Sequence, residues 1–198
     1  MMDPHATAAP GHYGVASCGV TFAPLAIAAA WNLQGRASPP LLAKVQELFA
    51  ASLPSGPDTV VKNDALSALW LGPSSWLLLT GSPSMLAGNF VTRRDALNEV
   101  HGALFDVSAS RIGWTIAGPH AVDVLSSGCP LDFHASVFRT RSYAQSVFGH
   151  VNVLIEKIDE APTFNVLVAR SFAHDTWHAM DIVARQYDYD VLETQPYR

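Results

Sequence analysis

Residues 106–138 constrain the fold more than any other part of this 198-residue sequence. Residues 112–117 alternate between large apolar and small or polar side chains, which indicates a half-buried strand. Gly118-Pro119 follows and predicts a helix start, because proline at the first helical position has no N–H to leave unpaired. Gly128 and Pro130 predict the end of that helix, since glycine tolerates positive φ and proline cannot continue a helix. The segment is architectural, without a nucleophile elbow, a phosphate loop or a metal-ligand pattern.

The sequence before this stretch predicts a strand, a helix, two strands, a helix and a strand, in that order. The first strand ends at Gly35, and Ser38-Pro39 begins a helix with apolar residues along one face. Gly72-Pro73 separates apolar strands over 66–71 and 76–80, as hairpin turns do. A strand is expected over 103–107. The helix before it, after Ser82-Pro83, is expected to bury Leu86, Phe90, Leu97 and Val100 and to expose Arg93, Arg94 and Glu99.

The second half predicts the same kinds of element again. After the strand and helix within 112–127, strands are expected over 142–148, 151–158 and 164–169, followed by a helix over 171–187. The expected buried stripe of that helix is Ala173, Trp177, Met180, Ala184 and Tyr187. The order of elements in the first half is typical of the split βαβ, or ferredoxin-like, arrangement, and the second half starts the same pattern again.

The sequence therefore predicts an α+β fold built from two intertwined ferredoxin-like modules. We expect a flexible N-terminal arm over 1–19 and a first α+β module over 20–109. The second module is expected over 110–190, and a C-terminal tail over 191–198. No sequence repeat is strong enough to prove a duplication.

Composition favours a subunit of a larger assembly. Charged residues are only 15% of the chain, against about 25% in ordinary soluble proteins. Few charges and many aromatic residues are typical of a buried interface, although a somewhat apolar monomer has the same composition. The net charge of −5 and the absence of a run of basic residues argue against nucleic-acid binding. No segment reaches the length of a membrane span, and two cysteines form neither a disulfide framework nor a zinc site.

Several residues suggest chemistry, but each has a plainer interpretation. His174 and His178 are one helical turn apart, yet the glutamate of a zinc-protease motif is missing, so we expect no metal site. His150 begins a strand and has no neighbouring nucleophile. Cys129 follows a helix C-terminus, where the negative end of the dipole disfavours a thiolate, so we expect a packed and inert thiol.

Short motifs in order along the chain resemble the gamma-subunit family of heterotetrameric sarcosine oxidases. The resemblance covers nearly everything from Leu25 to Tyr187. No single motif is diagnostic, but the set is specific. The motifs are Asn32-Leu33-Gln34-Gly35, Ala68-Leu69-Trp70-Leu71-Gly72-Pro73, Trp76-Leu77-Leu78-Leu79, Asp106-Val107-Ser108, Ser110-Arg111, Gly118-Pro119, Gly128-Cys129-Pro130-Leu131-Asp132, His150-Val151-Asn152-Val153-Leu154, Pro162-Thr163-Phe164 and Arg170-Ser171-Phe172-Ala173 with Trp177.

The resemblance implies a cytoplasmic complex that oxidatively demethylates sarcosine to glycine. Its other products are hydrogen peroxide and either formaldehyde or methylene-tetrahydrofolate. FAD, FMN, NAD, zinc and tetrahydrofolate are expected on the other subunits, and no cofactor, metal or catalytic residue on this chain. The fold is expected to be similar to the folate-binding aminomethyltransferases. The partners are expected to be the alpha, beta and delta subunits, mainly the large alpha subunit, with no nucleic acid and no membrane.

The apolar segment around residues 112–138 and the aromatic helix near the C-terminus are expected to contact the large subunit. We interpret Arg111 as a residue that pairs either with Asp106 or with an acidic partner surface, where it adds specificity. The expected interface residues are Arg111, Trp114, Cys129, Leu131, Phe133 and Phe138.

Two alternatives stay open beside a non-catalytic structural subunit. One is a free-standing folate-dependent one-carbon protein of the same fold. The Lys-Gly-Cys-Tyr motif of its iron–sulfur maintenance branch is absent, because Pro130 follows Gly128-Cys129. The other is a small-ligand regulatory module of ferredoxin-like build, which no feature of the chain favours. Neighbouring genes for two flavoprotein chains and a small zinc-binding chain would favour the subunit.

Overall fold

The computed structural model describes residues 8–87 and 90–197, except the side chains of residues 86 and 87. In chain order its strands are β1 (Gly11–Tyr13), β2 (Val20–Ala26), β3 (Ala29–Gly35), β4 (Val60–Lys62), β5 (Ser67–Gly72), β6 (Ser75–Thr80), β7 (Gly102–Asp106), β8 (Arg111–Ala117), β9 (Tyr143–Phe148), β10 (Val151–Lys157), β11 (Phe164–Ala169), β12 (Tyr189–Val191) and β13 (Gln195–Pro196). The helices are α1 (Pro39–Phe49), α2 (Phe90–Asn98), α3 (Ala121–Ser126) and α4 (Ala173–Ala184). Short 3-10 turns lie at Pro83–Ala87, Ser108–Ser110 and Arg170–Phe172.

The chain divides into two compact units with separate cores. Unit 1 contains the described residues up to Leu25 together with Ser110–Gln195. Unit 2 contains Ala26–Ala109 and the residues from Pro196 onward. Both units combine antiparallel strands with helices, so the fold is mixed α+β, as predicted.

Unit 2 is a five-stranded antiparallel sheet with two helices. Its strand order is β4-β5-β6-β3-β7, and β5 and β6 form the predicted hairpin. Helix α1 follows Ser38, as predicted, and buries Leu41, Val45 and Phe49. These side chains pack with Trp31 and other apolar residues of the sheet into one core. The short edge strand β4 lies beside β5 and was not predicted.

Arg93 on α2 is half-buried, which corrects its predicted place on the exposed face of this helix. Its guanidinium carbon lies 5.3 Å from the ring centroids of both Trp31 and Phe49. Nη1 donates a hydrogen bond to the Met85 carbonyl oxygen at 2.7 Å. Burial lowers the pKa of Arg93. Leu97 is buried as predicted, whereas the side chain of Leu86 lies outside the described residues.

Unit 1 contains most of an eight-stranded sheet in the order β1-β12-β2-β8-β11-β10-β9, with β13 also paired to β2. Strands β8, β11, β10 and β9 are antiparallel neighbours in that spatial order, so β11 and not β9 lies beside β8. Strand β2 enters from the N-terminal end of the chain. It lies between β8, to which it is antiparallel, and β12, to which it is parallel. The second half of the sequence therefore completes its sheet with a strand from the first twenty-six residues.

Helices α3 and α4 contribute to the unit 1 core. Helix α4 buries Ala173, Trp177, Met180 and Ala184, four of the five residues predicted for its stripe. The fifth, Tyr187, is partly buried against the same core. The periodicity of the sequence was therefore sufficient to place the buried face of this helix.

The N-terminal segment from Gly11 is an ordered part of unit 1, in contrast to the flexible arm expected there. Strand β1 pairs with β12, and the Tyr13 ring stacks on Tyr189 with centroids 5.0 Å apart. The Asp188 carboxylate accepts hydrogen bonds from the backbone N–H groups of Val15 and Ala16 at 3.3 and 2.9 Å. Residues 1–7 of the expected arm lie outside the described residues.

The expected C-terminal tail is also packed. The Tyr197 side chain is only 4% exposed, and its backbone N–H donates to the Ala26 carbonyl oxygen at 3.1 Å. Gly81 lies against the backbone of Tyr197, because a Cβ atom at residue 81 would be 2.2 Å from the Tyr197 carbonyl oxygen. Residue 198 lies outside the described residues.

In the described part of the chain, no helix has both the length and the apolar composition that crossing a membrane requires.

We predict that Arg93→Ala destabilises the protein by about 1–2 kcal/mol, because the cation–π contacts and the packing of the side-chain stem are lost. The control is Arg94→Ala on the same helix, whose guanidinium pairs with the exposed neighbour Asp95. That change should alter the free energy of unfolding by less than about 1 kcal/mol. Urea unfolding of the three proteins measures both effects, and equal losses for the two variants would contradict the prediction.

Candidate partner-binding site

The six residues expected at a partner interface lie mostly inside unit 1. Four of them belong to its core: Trp114, Cys129, Phe133 and Phe138 are 0%, 5%, 4% and 7% exposed. Leu131 is partly buried against the same core, and Arg111 is half-buried. The side chains of these four residues are taken up by contacts within this chain.

Aromatic packing explains why these apolar residues turn inward. The Phe133 ring makes edge contacts with Phe138 and Phe164, with centroids 5.6 Å apart in both pairs. The buried ammonium of Lys157 donates to the Phe138 carbonyl oxygen at 3.1 Å. Cys129 Sγ donates to Ser146 Oγ at 3.4 Å. The segment between α3 and β9 is therefore fixed to the sheet, and Cys129 is packed as expected.

Gly128 is required by close packing rather than by a left-handed backbone. It is absent from the residues with positive φ. A Cβ atom at this position would lie 2.9 Å from the Phe148 ring. The prediction of a helix end at Gly128 is confirmed, since α3 ends at Ser126, but the expected reason for the glycine is wrong.

The outer loop surface is the part of this segment that remains open to solvent. Val137 is 60% exposed there. The turn beneath it is rigid, because the Asp132 carboxylate accepts the His134 backbone N–H at 2.9 Å and Arg139 Nε donates to the Ser136 carbonyl oxygen at 3.2 Å. We define the outer loop surface by its exposed residues Asp132, His134, Val137, Arg139 and Arg141.

Arg111 and Asp106 have different environments. Asp106 Oδ1 accepts hydrogen bonds from the backbone N–H and the hydroxyl of Ser108, at 2.9 and 2.6 Å. Asp106 is therefore a turn-forming residue at the end of β7. Arg111 Nε is buried and has no hydrogen-bond partner among the described residues. Burial lowers the pKa of Arg111, and the interaction with Tyr143 partly opposes this effect.

The histidines singled out in the sequence lie beside β10 and on α4. No group of three or more His, Cys, Asp and Glu residues within 8–87 and 90–197 is arranged to hold a metal ion. His150 is exposed at the start of β10. His174 and His178 lie on α4 with ring centroids 6.4 Å apart and an interplanar angle of 19°.

A buried carboxylate network joins α4 to β12, and the sequence analysis missed it. The Tyr189 hydroxyl donates to Asp181 Oδ1 at 2.5 Å, and Arg185 Nη2 donates to Oδ2 at 2.8 Å. Burial acts to raise the pKa of Asp181, but the hydrogen bonds from Arg185 and Tyr189 outweigh it and lower the pKa. Burial and the Asp181 carboxylate raise the pKa of Tyr189. The i,i+4 spacing of Asp181 and Arg185 was the one signal available in the sequence.

A comparison with protein families matches residues 34–185 to the description "Sarcosine oxidase, gamma subunit family". The chain belongs to the sarcosine oxidase gamma subunit family. The resemblance given by the sequence motifs is therefore confirmed, and the match covers residues from both units.

Two sarcosine oxidase gamma subunits illustrate the relationship in this family. The chain is 29% identical over 137 residues to the one from Corynebacterium sp. (strain P-1), an alignment that covers 69% of this chain and 66% of that protein. It is 31% identical over 115 residues to the one from Arthrobacter sp., covering 58% of this chain and 55% of that protein. The aligned part is thus less than two thirds of each relative.

Solved structures show the fold of this family member. A chain of the heterotetrameric sarcosine oxidase from Corynebacterium sp. U-96, in complex with pyrrole 2-carboxylate, superposes with a TM-score of 0.77 at 24% identity, covering 88% of both chains. Glycine cleavage system aminomethyltransferase T from Bartonella henselae superposes with a TM-score of 0.61 at 11% identity, covering 89% of this chain and 48% of that chain. The predicted similarity to the aminomethyltransferase fold is confirmed.

We predict that Asp181→Asn lowers the free energy of unfolding at pH 7 by about 1–3 kcal/mol, because charge-assisted hydrogen bonds inside unit 1 are lost. A carboxyl group whose pKa is lowered by folding stabilises above its unfolded pKa, about 3.9 for Asp. This stabilisation disappears as pH falls through the lowered pKa of folded Asp181. Wild type and variant should therefore converge in acid.

Urea unfolding at pH 7 and at successively lower pH tests this prediction. The control is Asp175→Asn on the same helix, where the side chain is 58% exposed, in contrast to 12% for Asp181. A stability gap between wild type and Asp181→Asn that stays constant into acid would rule out the proposed linkage.

Proposed function

We propose that this chain is a non-catalytic structural subunit of a heterotetrameric sarcosine oxidase. The observation that carries the proposal is the family match over residues 34–185. The non-catalytic role is supported by side chains of unit 1 that could be reactive but instead form structural hydrogen bonds. Cys129 and Lys157 hold the segment between α3 and β9, and Asp181 joins α4 to β12.

The complex is proposed to demethylate sarcosine oxidatively to glycine in the cytoplasm. The methyl carbon leaves as formaldehyde or as methylene-tetrahydrofolate, and oxygen is reduced to hydrogen peroxide. In this proposal the alpha, beta and delta subunits hold FAD, FMN, NAD, zinc and tetrahydrofolate. The support is family membership together with the likeness to a heterotetrameric sarcosine oxidase chain.

The two units are proposed to be ferredoxin-like modules. In unit 2 the order β5-β6-β3-β7 supports this assignment, since a split βαβ module places its first strand between its third and fourth strands. In unit 1 the order β10-β11-β8-β2 is equivalent, with β2 in the fourth position. The modules are intertwined because β2, which precedes unit 2 in the sequence, supplies the fourth strand of unit 1.

The outer loop surface is proposed to contact the large alpha subunit. Most of it lies in the segment over residues 112–138 that is expected at the interface, and Arg139 and Arg141 follow directly. It presents an exposed apolar side chain between charged residues. Interface centres are enriched in apolar contacts, while charged residues at the rim set specificity. Val137 is the central residue of this proposal, and Arg139 and Arg141 are its rim.

Co-expression tests both the subunit role and its surface. The tagged chain is expressed with candidate alpha, beta and delta subunits, and the product is analysed by size exclusion, flavin absorbance and sarcosine-dependent peroxide formation. Co-elution with flavin and activity is expected. A monodisperse, colourless chain that does not bind these partners would contradict the subunit role. It would favour the alternative, a free-standing folate-dependent one-carbon protein. Tetrahydrofolate binding would then be the next measurement.

Within a complex that assembles, Val137→Glu should weaken recovery of the partner subunits by about tenfold or more, because it places a charge in an apolar contact. The matched control is Val91→Glu on α2, which makes the same substitution at a valine outside both segments expected at the interface, since Val91 is 45% exposed and Val137 is 60% exposed. Both variants should unfold at the wild-type midpoint. Equal recovery with the two variants would exclude the outer loop surface as the contact.

A further inference from the structure

The exposed face of α4 carries two neighbouring imidazoles, those of His174 and His178. His174 and His178 are four residues apart in a twelve-residue helix, so their side chains leave the same face one turn apart. The rings are nearly parallel, at 19°, with centroids 6.4 Å apart. The His174 side chain is 81% exposed, and His178 is also exposed. Exposed side chains can rotate at little cost, so the two rings are free to converge on a common ligand.

Acidic neighbours give the pair a favourable electrostatic environment for a cation. Asp175 Oδ1 lies 3.9 Å from Nδ1 of His174. Asp181 also lies close enough to interact with the charge of His178.

We propose that His174 and His178 form a chelating site for borderline divalent transition metal ions, namely Ni²⁺, Cu²⁺ and Zn²⁺. Imidazole suits these ions, and two histidines at i and i+4 on one helix face are a recognised ligand pair. A metal–nitrogen bond is about 2.0–2.1 Å long, so both rings turn toward the ion when it binds. Water or a donor from another molecule fills the remaining coordination positions.

The site differs from a structural zinc centre in its energetics. Both ligands lie on one helix that is already folded, so metal binding is not needed for folding and the protein is folded with or without the ion. Because folded α4 holds both rings on one face and the unfolded chain does not, bound metal stabilises the native state by mass action.

The test is titration of the full chain, prepared without a polyhistidine tag, with NiCl₂ in an isothermal calorimeter at pH 7.5. The wild type is compared with His174→Gln/His178→Gln and with the matched control His134→Gln/His150→Gln. The control removes the same number of exposed histidines from other elements. Thermal unfolding without metal verifies that both double variants fold as the wild type does.

Wild type and control are expected to bind one Ni²⁺ per chain with the same affinity. The His174→Gln/His178→Gln variant should bind at least about tenfold more weakly. Each single substitution on α4 should lose as much as the double substitution, because chelation needs both rings. Ni²⁺ affinity unchanged in the α4 double variant, an equal loss in the control, or no saturable binding by the wild type would each overturn the proposal.

Discussion

The packing of Trp177 against aromatic rings from distant parts of the chain holds unit 1 together. Its ring lies 5.1 Å from Phe22, 6.3 Å from Trp114 and 6.3 Å from Tyr189, measured between centroids. Tyr189 in turn stacks on Tyr13 at 5.0 Å. Each aromatic pair contributes about 0.5–1.5 kcal/mol beyond the apolar area that it buries. Helix α4 is therefore fixed on the sheet at the point where β2, β8 and β12 meet, and the Asp181 network reinforces the same connection.

Local sequence patterns were enough to predict the helices and most of the strands, and they missed strand β2. The buried stripe of α4 and the strands β8 to β11 followed from alternation and from glycine–proline punctuation. Strand β2 has a buried side chain at almost every position, so its sequence lacks the period of two that marks a strand. Its pairing with β8 and β12 is non-local, and no local signal in Val20–Ala26 could reveal it.

The candidate site was harder to predict because composition does not say which way an apolar side chain points. Phe133 and Phe138 were expected to contact a partner, and they instead complete the core of unit 1. Strand β6 shows the same effect in unit 2. Leu77 and Leu79 are 1% and 0% exposed, although they alternate with the core residues Trp76 and Leu78. A strand that is buried on both faces has apolar residues at nearly every position. Such strands lower the charged fraction of the chain without any partner, so subunit contacts explain only part of the low charge content.

The position of β2 also sets the order in which a newly synthesised chain can fold. Unit 2 consists almost entirely of Ala26–Ala109, so its core residues have all been made before Ser110 leaves the ribosome. Strand β2 is translated before unit 2, yet its neighbours β8 and β12 are translated after unit 2. An apolar strand thus stays unpaired while the rest of the chain is translated, and such segments favour aggregation during folding. Unit 1 therefore acquires its complete sheet only after β12 has been translated.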